Sequence, residues 1–132
     1  MNNNDKFHRL DNPGFRSCEN KGFQMTFANG WTVSVQYGKA NYCDRRSDTS
    51  QGKPETDEIV ASANAECAAW DSTGEWMHMS DCDDEWVNIQ VIGWQTPDQV
   101  AALITRVAAF PVGSDVLDAG ETRTDIPVYK GK

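Results

Sequence analysis

GFQMTFANGWTVSVQYG, residues 22–38, is the stretch on which the fold turns. Phe23, Met25 and Phe27 alternate with Gln24 and Thr26. Trp31, Val33, Val35 and Tyr37 alternate with Thr32, Ser34 and Gln36. Period-two alternation in β-branched and aromatic residues predicts two strands. Asn29-Gly30 between them invites a two-residue turn. Such a turn pairs Phe27 with Thr32 and throws the two apolar sets onto opposite faces. A three-residue loop, Ala28-Asn29-Gly30, pairs Phe27 with Trp31 and Met25 with Val33, so both apolar sets share one face. Register follows the buried face. The expectation is therefore a type I turn closed by Gly30 in the left-handed conformation, forming a bulge.

The flanking sequence extends this hairpin. Residues 14–19 predict a short edge strand. Residues 58–70, EIVASANAECAAW, carry helix-favouring alanines, but Ile59, Ala61, Ala63, Ala65, Cys67 and Ala69 alternate, and we read a strand. A Ser72-Thr73-Gly74 loop then sets Ala69 opposite Met77 and Cys67 opposite Met79, with a return strand over residues 75–79. Residues 86–94, WVNIQVIGW, predict a further strand with Val87, Ile89 and Val91 on one side. Thr96-Pro97-Asp98-Gln99 is a helix start: Thr96 caps, Pro97 suits the first helical position, and Gln99 completes a capping box. Val100, Leu103, Ile104 and Val107 form the apolar stripe, and Pro111 ends the helix after about Phe110. The sum is an α+β fold: an antiparallel sheet of about five strands with one C-terminal amphipathic helix packed on one face. Residues 1–132 read as a single domain, with an irregular N-terminal arm over 1–21 and an extended C-terminal tail over 112–132.

A chain of 132 residues with 39% hydrophobic content can bury a core without staples. The formal net charge is −8. That argues against direct nucleic-acid binding, which needs Lys and Arg against phosphates. It suits a basic protein partner, and it also serves solubility. No apolar run is long enough to cross a membrane. The first fifteen residues hold no apolar signal core, which predicts a non-secreted chain in which Cys18, Cys43, Cys67 and Cys82 are reduced thiols.

No catalytic motif emerges. The only histidines are His8 and His78, and neither a GxSxG elbow nor an HExxH helix is present. His78 near Cys67 can be read as a nucleophile pair or as a half-exposed histidine beside a buried thiol, and we read the latter. The cysteines lack the close pairs of a structural zinc site. The acidic run Asp81, Asp83, Asp84, Glu85 does not match a calcium loop. The expectation is no enzyme, no cofactor and no metal.

The string FANGWTVSVQYGKANYC, residues 27–43, followed by a strand, an acidic turn and the TPDQVAALI helix of residues 96–104, resembles small proteins encoded by tailed-bacteriophage genomes. The resemblance covers about residues 22–110. It implies a phage-type accessory protein of the host cytoplasm, an anti-defence or host-takeover factor, and it carries over no site residues.

Two surfaces are candidate binding sites. Trp70, Trp76 and Trp86 lie near Asp83, Asp84 and Glu85, an acidic aromatic set suited to a basic host protein. The aperiodic loop over residues 38–57 carries Tyr42, Arg45 and Arg46, which could stack on and pair with a small anionic, nucleotide-like ligand. Loops this long are often functional, and this one is expected to matter more to function than to folding. A virion structural role is a third reading. The chain is expected to be a monomer or small homo-oligomer, with Trp31 and Trp94 serving the core.

Overall fold

The computed structural model describes residues 12–19, 21–47, 60–79 and 90–116. Five strands and a helix follow in chain order: β1 Gly14–Ser17, β2 Gly22–Thr26, β3 Thr32–Gln36, β4 Ala65–Trp70, β5 Ile92–Gln95 and α1 Pro97–Ala108. The strands form one sheet in sequential order, and every neighbouring pair is antiparallel. The helix packs on one face, which is the α+β arrangement predicted from the sequence.

The central hairpin takes the register that parity demands. Met25 lies opposite Val33 and Phe23 opposite Val35. The Phe27 amide donates to the Trp31 carbonyl at 2.8 Å and the Gly30 amide to the Phe27 carbonyl at 2.9 Å. Gly30 has φ 94°, a region that L side chains rarely adopt. The apolar face continues through Ala69 and Cys67 on β4, and Trp31, Val33, Val35, Cys67 and Ala69 are buried with Leu103 and Val107 of the helix. On the opposite face the Thr26 and Thr32 hydroxyls bond across the strands at 2.8 Å.

The helix begins as predicted. The Thr96 side chain accepts from the Gln99 amide at 3.3 Å and the Gln99 side chain accepts from the Thr96 amide at 2.9 Å, with Pro97 in the first turn. Its other end is held by the hairpin loop. The last carbonyls of a helix have no partner within it. Asn29 Nδ2 donates to the Val107 carbonyl at 2.8 Å and to the Phe110 carbonyl at 2.9 Å. Asn29 Oδ1 accepts from the Trp31 amide at 2.9 Å. The Trp31 indole donates to the Ser114 carbonyl and hydroxyl, both at 3.1 Å, and meets the Phe110 ring edge-on at 4.8 Å between centroids.

Three expectations change. The return strand over residues 75–79 reduces to a single bridge, Trp70 with Trp76, although Ala69 still meets Met77 through a 2.8 Å hydrogen bond. The reason is competition: β5 pairs with β4 at Cys67 and Ala65 and takes the rest of that edge. The strand expected over residues 58–70 starts only at Ala65, and the one expected over residues 86–94 spans Ile92–Gln95, with Ile92 facing the core. Residues 58–59 and 81–89 lie outside the described residues, as do residues 1–11 of the expected arm and 117–132 of the expected tail.

Replacing Asn29 with Ala should cost about 2–4 kcal/mol, because it leaves the Phe110 carbonyl and the buried Trp31 amide without their partner and strips the Val107 carbonyl of one of its bonds, keeping the one from the Phe110 amide. Urea denaturation of the two proteins measures this. A loss below about 0.5 kcal/mol would show that the Asn29 contacts do not hold the helix.

Candidate functional site

The pairing of β4 with β5 contains an extra residue. Cys67 lies opposite Ile92 and Ala65 opposite Gln95, so two steps on β4 match three on β5. In a regular strand, residues three apart point to opposite faces. Here the bulge returns Gln95 to the face of Ile92, Cys67 and Ala65, which is the helix side. Trp94 takes up the distortion with φ 52°, a conformation that costs a non-glycine residue about 1–3 kcal/mol.

The bulge is braced from outside by residues 38–47. Trp94 donates its amide to the Tyr42 carbonyl at 2.9 Å. A methyl group on Gly93 would sit 2.8 Å from Tyr42 Cβ and 2.9 Å from its carbonyl oxygen, so only glycine admits this approach. The segment is fastened to β4 as well. Glu66 accepts from Asn41 Nδ2 and from the Tyr42 amide, both at 3.0 Å, and Asn64 Oδ1 accepts from the Asp44 amide at 2.8 Å. Cys43 is buried beneath it. This half of the expected functional loop is therefore part of the fold. Arg46 lies over the Tyr42 ring, 4.4 Å from its centroid, and donates to the Ala40 carbonyl at 3.0 Å. Tyr42, 43% exposed, leans on Trp94 at 6.0 Å. One face of Tyr42 is thus already occupied by Arg46, which weakens the anion-stacking site read from Tyr42, Arg45 and Arg46. Arg45 is half-buried. Trp94 is half-buried against Tyr42 rather than inside the core, because the bulge turns it away from the helix.

Gln95 faces a cleft of about 420 Å³ between the sheet and the first half of the helix. Phe23, Val35 and Tyr37 form the sheet wall and Val100, Ala101 and Ile104 the helix wall; residues 60–64 form the third. Gln95 is 0% exposed. Its Nε2 donates to the Gly93 carbonyl at 3.3 Å, while Oε1 has no hydrogen-bond partner. A buried acceptor left unmet costs about 1–3 kcal/mol.

A second feature lies on the opposite sheet face. Trp70 and Trp76 stack at 5.0 Å between centroids, 25° from parallel. Trp70 is 3% exposed and Trp76 36%. Of the expected aromatic anchors, Trp70 is therefore the buried support and Trp76 the surface ring. The Trp70 indole N–H is buried without an acceptor. Trp86, Asp83, Asp84 and Glu85 lie outside the described residues. The turn that carries Trp76 is rigid. Asp71 Oδ1 accepts from the Thr73 amide at 2.9 Å, the Thr73 hydroxyl at 2.6 Å and the Glu75 amide at 3.0 Å, and Oδ2 accepts from the Val116 amide at 3.0 Å.

Cys67 lies buried in the core. Burial, reinforced by the Glu66 charge, pushes the Cys67 thiol up to about 12, so it stays protonated at neutral pH. Burial likewise raises Cys18, against the opposing pull of Lys21 and Arg16. Among the described residues no three His, Cys, Asp or Glu side chains converge as metal ligands, and no helix is long and apolar enough to cross a membrane. Comparison with protein-family models, curated proteins and solved structures returns no match.

Burial alone would raise the Asp71 carboxyl, but the hydrogen bonds from Thr73, Val116 and Glu75 outweigh it and hold the group below the usual carboxylate value. A depressed folded-state value contributes stability above the unfolded value of about 4, lost as pH falls through the folded value. Asp71→Asn should therefore lower stability at pH 7 and flatten its decline below about pH 4. Thermal unfolding between pH 2 and 7 measures both; parallel pH profiles for the two proteins would contradict the assignment.

Proposed function

We propose that the protein acts by stoichiometric binding rather than turnover, and that it engages a basic protein through the face built on Trp76. The observation that carries this reading is the Trp70–Trp76 stack, with one ring at the surface and an unmet indole donor beneath it. Rigid, partly exposed tryptophans on fixed supports are the usual anchors of protein interfaces. The exposed Glu75 beside the ring and the net charge of −8 favour a cationic partner and speed its encounter. Together with the resemblance to tailed-phage proteins, this supports an accessory inhibitor that occludes a basic site on a host protein.

Immobilised protein should retain a basic protein from bacterial lysate. Trp76→Ala should weaken that binding by about 2 kcal/mol, roughly thirtyfold, mainly through faster dissociation. Trp76→Phe, which keeps an aromatic plane, should lose less, and added salt should slow association of the unmodified protein. An acidic partner, or equal retention by Trp76→Ala, would contradict the reading.

A further inference from the structure

The cleft beneath the first half of the helix is unrelated to the Trp76 face, and its chemistry is specific. Among the described residues its lining contains no Asp, Glu, Lys, Arg or His. Nothing there balances a phosphate, a carboxylate or an ammonium group, and an unpaired charge would be costly in so apolar a site. The adjoining helix N-terminus is no anion site either. Thr96 and Gln99 cap each other and Pro97 has no N–H to offer. What the lining does offer is aromatic and aliphatic surface from Phe23, Tyr37, Val100 and Ile104, and one polar atom that lacks a partner, Gln95 Oε1.

That atom is placed by an irregularity. Without the extra residue in β5, Gln95 would point to the other face of the sheet. The strained Trp94 and the bracing carbonyl of Tyr42 hold a polar side chain in an apolar layer, where it has no partner of its own. Bulges that re-aim a side chain recur beside binding sites. The amide orientation is fixed as well, because Nε2 already donates to Gly93, which leaves the oxygen as the unsatisfied end.

We propose that this cleft binds a neutral, mostly apolar ring compound that carries one N–H or O–H donor, with the donor directed at Gln95 Oε1. A volume of about 420 Å³ lies in the range of small-ligand sites, which are largely apolar with a few placed polar groups. The oxygen is covered by the cleft wall, so the donor reaches it as half-buried wall side chains such as Val100 and Ile104 yield. The ring lies against Phe23 and Tyr37.

Indole and benzofuran test this, since they share one shape and only indole donates. Titration of isotope-labelled full-length protein with each should shift the Val100 and Ile104 methyl signals, with indole bound about tenfold more tightly. Gln95→Leu should still bind both and lose the preference, while its thermal stability rises because the unmet acceptor is gone. Ala101→Trp, at an exposed position on the rim, should weaken both at least tenfold without lowering the melting temperature. No methyl shift at millimolar concentrations, shifts confined to residues outside the cleft, or an indole preference that persists in Gln95→Leu would each overturn the proposal.

Discussion

The contact between the Asn29 side chain and the carbonyls of Val107, in the last turn of α1, and Phe110, just beyond it, decides how the two layers meet. It joins the tip of the central hairpin to the end of the helix, 78 and 81 residues away in sequence. Trp31, one residue past the loop, locks the same end through Ser114 and Phe110. The second half of the helix is therefore pressed onto the sheet, with Leu103 and Val107 buried. Val100 and Ile104, in the first and middle turns, remain half-buried. A helix clamped at one end leaves its other end standing over a cleft.

What fills the floor of that cleft depends on β5. The bulge turns Gln95 inward and Trp94 outward, and residues 38–47 secure both consequences from the edge of the sheet. The hydrogen bonds from Asn41 and Tyr42 to Glu66 tie the brace to β4, so bulge, brace and β4 form one unit. The stability given up at the strained Trp94 and the unmet Gln95 oxygen is of the order of a few kcal/mol, a large share of what a domain of this size has to spare.

The parts legible in the sequence are those governed by local rules. Parity along residues 23–37 selected the three-residue loop over the more familiar two-residue turn, because only one register buries a single face. The capping box at Thr96 and Gln99 involves atoms three residues apart. The strand of residues 65–70 was visible through its small alternating residues. The rest depends on contacts that sequence spacing does not encode. Counting by twos from Val91 puts Gln95 on the apolar side and Ile92 on the other, whereas in the structure both face the helix; an even and an odd position share a face only through the bulge, for which Gly93 inside an apolar run is the one hint in the sequence. Residues 38–47 looked like a free loop because their partners, Asn64, Glu66 and Trp94, are 20 to 52 residues distant. Trp70 and Trp76 were grouped correctly, but which of them is buried follows from the bridge between them and not from composition.

The orientation of Gln95 is open to direct observation by NMR of its side-chain amide in the full-length protein. With the bulge in place, the Nε2 protons exchange slowly with water and show nuclear Overhauser contacts to residues that line the cleft, Ala65 and Val100 among them. Rapid exchange, with contacts only to side chains of the opposite sheet face, would mean that β5 runs as a regular strand and that the cleft has no polar floor.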